Sequence, residues 1–252
     1  MGEQRFRDRH ALVTGAGSGI GQAAAVALAR EGARVTLVGR TVSRLEETAL
    51  RVREFGGPDP VVASADVRDA AQIEAAFDEG IRRAPIDLLI TSAGVNHPGP
   101  LADAPVDVIE SMLDINILGT LLACRTFARF AIPEGPRAVV CISSQMGVVG
   151  YPGRAPYCAA KHAVNGLTKA LAVEWAPDGI RVNAVAPTFL ETPFTARMFA
   201  DAAFRDEVIG RIPLGRLGTL GEVSSAILYL LSDEASLITG HILAVDGGWT
   251  AI

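Results

Sequence analysis

Cysteine is scarce. Cys124, Cys141 and Cys158 are odd in number and none is spaced Cys-x-x-Cys, which argues against a disulfide scaffold or a zinc ribbon. They are expected to be reduced thiols of a cytoplasmic protein, with no metal site. No apolar run approaches the roughly 18 residues of a membrane-spanning helix. The charged stretch Gly2 to His10 does not read as a secretory h-region. A basic surplus is missing too: the net charge of −5 and pI near 5.4 argue against nucleic acid or an anionic membrane as partner. Repeats, low-complexity tracts and linkers are lacking; Gly56-Gly57-Pro58 reads as a turn and Pro133 to Pro136 as a loop. The 252 residues therefore read as one domain, 1–252.

What is present alternates. Short β-branched runs stand at Ala11–Thr14, Ala33–Val38, Pro60–Ala65, Asp87–Thr91, Ala138–Ile142, Ile180–Val185 and His241–Val245. Segments with helical spacing lie between them, at Ile20–Glu31, Ser43–Phe55, Ala70–Arg83, Val106–Phe130, Pro156–Trp175 and Gly221–Leu231. That order predicts βαβ units in an α/β fold, a doubly wound, seven-stranded parallel sheet flanked by helices.

Residues 14–21, Thr-Gly-Ala-Gly-Ser-Gly-Ile-Gly, follow the first strand and open the first helix. Glycines there let backbone approach a pyrophosphate, whose charge the helix N-terminus favours. Gly15, Ser18, Gly19, Ile20 and Gly21 are thus candidates for a dinucleotide site of Rossmann type. At the end of strand two, where an acid would grip a ribose hydroxyl, the chain has Gly39-Arg40. A guanidinium there suits a 2′-phosphate, so NADP is expected in preference to NAD. Asp66, with Val67, ends the third strand, where its carboxylate either accepts from an adenine amino group or caps the next helix. Thr91-Ser92-Ala93-Gly94 ends the fourth strand at the ligand-binding edge of such sheets. Asn116, inside a long apolar segment, needs partners for its amide. It is either a structural hydrogen-bonder or part of a proton path.

Tyr157 and Lys161 stand four apart at the start of a helix, on one face and one turn apart. A nearby ammonium favours the phenolate. Bringing a phenol from about 10 to near 7 takes roughly 4 kcal/mol, more than one lysine supplies, so a second cation or a helix N-terminus is expected nearby. Such a tyrosine suits acid/base work between an alcohol and a carbonyl.

Together these residues resemble the short-chain dehydrogenase/reductase family along essentially the whole chain. The resemblance rests on the glycine run, Asp66-Val67, Asn116, Ser144 thirteen residues before Tyr157, and Tyr157-x-x-x-Lys161. Residues 180–187, Ile238-Thr239-Gly240 and Asp246-Gly247-Gly248 extend it. It implies that Tyr157 is the general acid/base and that Lys161 lowers its pKa and binds the nicotinamide ribose. The cationic ring of the oxidised cofactor would be the second cation. Ser144 would hydrogen-bond the substrate oxygen, and Asn116 would hold a water between Lys161 and solvent. Ala93 and Gly94, with Pro187, Thr188 and Thr192, would complete the cofactor site. The family's usual Asn-Asn-Ala-Gly is Thr91-Ser92-Ala93-Gly94 here, and no basic residue stands within the glycine loop.

The expected activity is NAD(P)(H)-dependent interconversion of a secondary alcohol and a ketone, on a small polyol, sugar-like or hydroxy-acid compound. The alternatives are a 3-oxoacyl-thioester reductase and a catalytically idle dinucleotide-binding scaffold. His97, Gln145, Met146, Tyr151, Arg154, Phe189, Glu191, Phe194 and Met198 are expected around the substrate. Arg154 and Arg197 are the candidates for a carrier-binding patch. The apolar segment Val106–Phe130 and the tail after Asp246, supported by the resemblance, predict a homotetramer.

Overall fold

Seven strands pair side by side, all parallel, in the order β3-β2-β1-β4-β5-β6-β7. They are β1 (His10–Thr14), β2 (Arg34–Gly39), β3 (Val61–Ser64), β4 (Leu88–Thr91), β5 (Arg137–Ile142), β6 (Ile180–Pro187) and β7 (Ile242–Val245). This computed structural model describes residues 4–252 apart from Gly56, residues 131–134, Pro193, Phe194, Ala196 and Arg197. Phe194 and Arg197, expected near the substrate, therefore lie outside the described residues, as do the Met198 side chain and parts of the two turns at 56–58 and 133–136.

Helices cover both faces: α1 (Gly19–Arg30), α2 (Val42–Arg53), α3 (Ala70–Ile81), α4 (Val106–Leu113), α5 (Gly119–Arg129), α6 (Ala155–Glu174), α7 (Ala202–Gly210) and α8 (Leu220–Leu231). Strand alternation divides the core. Ala11 and Val13 of β1 join Val35 and Leu37 of β2 against Leu28 of α1 and Ile227 of α8. Leu12, between them in sequence, faces the other way with Val38 and Leu89, against Phe77 of α3 and Phe127 of α5. Each such side chain contributes about 1.5–3 kcal/mol on burial. A charge at Val13 would lose that and strand an ion in the sheet.

Local signals set the helix ends. Asp69 caps α3 by accepting from the Ala71 and Gln72 amides at 2.9 and 3.2 Å. Thr219 and Glu222 form a reciprocal capping box at α8.

The expected continuous helix from Val106 to Phe130 is interrupted. Residues Asp114–Leu118 form a π-helical turn between α4 and α5. There the Asn116 amide nitrogen donates to the Met112 carbonyl, four residues back, at 2.8 Å. A side chain entering the backbone ladder is a physical cause of such a bulge, and bulges of this kind cluster at functional sites. Helix α7 had no counterpart in the sequence reading.

Candidate active site

The carboxyl edge of the sheet is tied together first. The Thr14 hydroxyl, at the end of β1, accepts from the Ser92 and Ala93 amides beyond β4, at 3.1 and 3.3 Å. A Cβ at Gly15 would come within 2.7 Å of the Ala93 nitrogen, and one at Gly21 within 2.5 Å of the Gly15 oxygen. Both positions demand glycine for close backbone packing. Gly19 differs: its φ is +55°, and the space beside it is open. Ser18 is the N-cap of α1 but makes no side-chain capping bond. The first-turn amides of α1 thus lack an intrahelical or side-chain partner and are bordered by glycine, a cradle that fits a pyrophosphate.

Arg40 follows β2 and is exposed. Arg44, in the first turn of α2, packs its Cβ 3.0 Å from where a Gly17 Cβ would stand. The sequence reading missed Arg44, although its place four residues after Arg40 was a usable signal. Asp66 is not the helix cap, because Asp69 takes that role. It is instead gripped by Arg68 at 2.7 Å, and that hydrogen bond, with Arg40 contributing, holds the carboxyl below its usual range. Three arginines therefore border the β2–β3 end of the edge. Val67 is buried against Gly119.

The proposed catalytic groups converge from three elements. Ser144 stands at the end of β5 as cap of a short 3₁₀ turn, Gln145–Gly147, its hydroxyl accepting from the Met146 amide at 3.2 Å. That turn is clamped to α6: Asn165 donates to the Gly147 carbonyl at 2.6 Å, and a Cβ at Gly147 would lie 2.8 Å from the Lys161 carbonyl. Asn165 is a positioning residue overlooked in the sequence, although it follows Lys161 by one helical turn. Tyr157 is half-buried. Burial pushes its phenol up to about 12, against the opposing effect of the Ser144 hydroxyl and, more weakly, Arg154. In the chain without cofactor, desolvation thus outweighs the groups that favour the phenolate.

Lys161 is buried, and burial pulls its ammonium down to about 8. Its Nζ donates to the Ile142 carbonyl at 2.8 Å and lies 5.5 Å from the Tyr157 ring centroid. Asn116 spends its amide nitrogen on the Val95 and Met112 carbonyls, at 2.9 and 2.8 Å. Its Oδ1 is buried with no protein partner, and a Cβ at Gly94 would stand 2.7 Å from it and 3.7 Å from the Lys161 Nζ. Asn116 is therefore a structural hydrogen-bonder through one end of its amide, with a free acceptor next to Lys161 at the other.

A family profile described as enoyl-(acyl carrier protein) reductase matches residues 15–250. Cis-4-hydroxycyclohexanecarboxylate dehydrogenase of Sinomonas cyclohexanicum is 39% identical over the full length of both chains. 2-(R)-hydroxypropyl-CoM dehydrogenase of Xanthobacter autotrophicus is 36% identical over 97% of this chain and 99% of its own. A crystal structure of gluconate 5-dehydrogenase from Burkholderia cenocepacia, in complex with NADP and tartrate, superposes with a TM-score of 0.93 at 35% identity, covering 99% of this chain and 98% of that one. The chain belongs to the short-chain dehydrogenase/reductase family.

On the substrate side, this short-chain dehydrogenase/reductase sorts the expected residues into two groups. Gln145, Met146 and Arg154 are buried, the first two in the 3₁₀ turn and the third at the start of α6, and neither polar atom of the Gln145 amide has a partner among the described residues. Tyr151 and Phe189 instead belong to an aromatic cluster with Phe199, Phe204 and Trp249, ring centroids 5.8–6.1 Å apart. The cluster seats α7, and Arg211 lies over the Tyr151 ring at 5.3 Å. The two rings pack against each other and against Trp249 beside α7. His97 and Glu191 are exposed on the rim. The His97 loop is joined to the turn before α6 by the Gly99 amide donating to the Gly153 carbonyl at 2.9 Å. Thr188 is buried at the end of β6 with an unpartnered hydroxyl, and Thr192 bonds Thr195 at 3.0 Å. Among the described residues, no cluster of histidine, cysteine and carboxylates could hold a metal.

Proposed function

We propose that the protein is an NADP(H)-dependent oxidoreductase, a single domain over 1–252, interconverting a secondary alcohol and a ketone on a small polyol, sugar-like or hydroxy-acid substrate. The observation that carries this reading is the convergence of Ser144, Tyr157, Lys161 and Asn116 beside the glycine cradle. NADP, when bound, supplies the hydride exchange at the carbon. The first-turn amides of α1 with Gly15, Ser18, Gly19, Ile20 and Gly21 would hold its pyrophosphate. Arg40 would meet the 2′-phosphate; Asp66 and Val67, the adenine; Ala93, Gly94, Lys161 and Tyr157, the nicotinamide ribose. Pro187, Thr188 and Thr192 would meet the carboxamide.

Ser144 donates to the substrate oxygen and fixes it against Tyr157. In reduction the phenol gives its proton to that oxygen as the carbonyl becomes a hydroxyl; in oxidation the phenolate takes the proton back. Lys161 holds positive charge beside the phenol, and the Asn116 Oδ1 accepts the next hydrogen bond toward solvent. Because burial raises the phenol, the base form is the scarce one at neutral pH. Oxidation is therefore expected to accelerate as pH rises and reduction to slow.

A 3-oxoacyl-thioester is the second reading, favoured by the likeness to the 3-oxoacyl-(acyl-carrier-protein) reductase of Thermotoga maritima, 36% identical over 97% of this chain. It requires a basic patch at the mouth, and Arg154 is buried rather than displayed. The exposed Val106, Leu118, Leu121 and Val173 support a homotetramer. No described helix is long and apolar enough to cross a membrane, and with three free cysteines a cytoplasmic setting is proposed.

Tyr157→Phe tests the chemistry. It keeps the ring, so NADPH binding followed by fluorescence should persist while kcat for ketone reduction falls roughly a hundredfold or more. A variant with near wild-type kcat would refute the assignment.

A further inference from the structure

Arg154 is only 5% exposed, yet it holds no carboxylate among the described residues. Its Nε is buried without a partner, and its one hydrogen bond is a long 3.3 Å contact to the adjacent Gly153 carbonyl. The contrast with Arg181 is instructive. That guanidinium, also largely buried, spends its donors on the carbonyls of Leu230, Leu231, Ser232 and Ile238, at 2.6, 3.3, 2.9 and 3.5 Å. Arg181 is a structural strut; Arg154 braces nothing.

Its position adds a second cost. Arg154 is the N-cap of the 20-residue α6, where the helix end is already positive and no side chain caps it. A cation there is opposed by the helix as well as by desolvation, and the ionisable groups acting on it are two phenols and a thiol, Tyr151, Tyr157 and Cys158. Removing a charge from water without a counter-ion costs several kcal/mol. No carboxylate among the described residues offsets this, which leaves the guanidinium free to take an anion from outside.

Arg154 is also three residues before Tyr157, one turn along the same helix face. An anion on Arg154 and a carbinol oxygen on Tyr157 therefore belong to one small molecule, separated by a few bonds. We infer that Arg154 is the specificity residue of this site and that the substrate is a short hydroxy acid whose carboxylate it binds. This rests on the oxidoreductase reading above and narrows its substrate class. The planar fork of a guanidinium matches a carboxylate in two parallel hydrogen bonds. Gln145, with both amide atoms free, is available for a further hydroxyl of such an acid.

The test uses the holoenzyme with NADP and matched substrates: 3-hydroxybutyrate, its amide, 1,3-butanediol and 2-hydroxypropanesulfonate, with gluconate as a longer acid. Wild type is expected to favour an acid over its neutral partner by roughly thirtyfold or more in kcat/KM, the loss expected for one missing partner of a buried charge pair. Arg154→Met should collapse that ratio mainly through KM, and Arg154→Lys should restore part of it. If neutral alcohols turn over as well as the acids, and the ratio is unmoved in Arg154→Met, the inference fails while the oxidoreductase reading stands. A sulfonate used in place of every carboxylate, with the same collapse, would overturn the carboxylate assignment. Calorimetric binding of the acids to Tyr157→Phe, with and without Arg154→Met, reads the site without turnover. Equal binding of acid and amide there overturns the inference whether or not any substrate reacts.

Discussion

Gly94→Ala is the smallest change that reaches the centre of the site. The new Cβ would lie 2.7 Å from the Asn116 Oδ1, about half an ångström inside ordinary carbon–oxygen contact, whereas the Lys161 Nζ at 3.7 Å is not struck. Gly94 has no positive φ, so alanine meets no backbone penalty and the effect is purely steric. Asn116 cannot swing aside freely, because its amide nitrogen is held by two carbonyls at 2.8 and 2.9 Å. Tilting the amide weakens both bonds at about 1 kcal/mol each, and overpacking adds to that, for a loss of about 2–3 kcal/mol. Urea unfolding should show the midpoint falling with the slope unchanged, and kcat should fall because Asn116 and Lys161 share the pocket. The same substitution in an Asn116→Ala background has no Oδ1 to strike and should cost at least 1 kcal/mol less. Additivity of the two changes within about 0.5 kcal/mol would refute the steric reasoning. Gly166→Ala, in α6 with nothing within 4 Å, serves as control and should gain about 0.5–1 kcal/mol with activity intact.

Arg40→Asp places like charge beside a 2′-phosphate and should move kcat/KM toward NAD by tenfold or more, with Arg44 and Arg68 left to soften the loss; a wild-type preference for NAD of tenfold, about 1.4 kcal/mol, would refute the role of Arg40. Light scattering at micromolar concentration should give about four times the 26.4 kDa chain mass, and a monomeric mass would show that the exposed apolar groups of α4, α5 and α6 serve no self-association.

The sheet was legible because its signal is local and repeated. β-branched runs recur between helical spacings, and every expected strand lies within two residues of its observed bounds. The glycine loop was legible for the same reason, since a Cβ at residue 15 would stand 2.7 Å from the Ala93 nitrogen and only glycine fits there. The π turn at Asn116 was not, because its cause is one side chain entering the backbone ladder of an otherwise apolar helix. Helix α7 was hidden differently. Of its residues only Val208 is fully buried, and what holds it is contact with rings brought in from Tyr151, Phe189 and Trp249, far away in sequence.

The electrostatics of Tyr157 show where sequence reasoning goes further than its own residues. A phenol doing this work needs more positive charge than one lysine gives, and that requirement was visible from the pairing of Tyr157 with Lys161. What spacing could not show is that Lys161, its Nζ 5.5 Å from the Tyr157 ring centroid, donates to the Ile142 carbonyl, and that Arg154 adds a weak pull on a phenol that burial still raises. Arg154 then acts twice through one charge. It biases the phenol toward its base form while the site is open, and it carries the field an acidic substrate would meet. When a carboxylate occupies it, that bias is partly neutralised, which leaves Ser144, Lys161 and the cofactor to set the proton affinity of the reacting phenol. The requirement came from chemistry alone; Arg154 meets only a small part of it, because burial still holds the phenol at about 12.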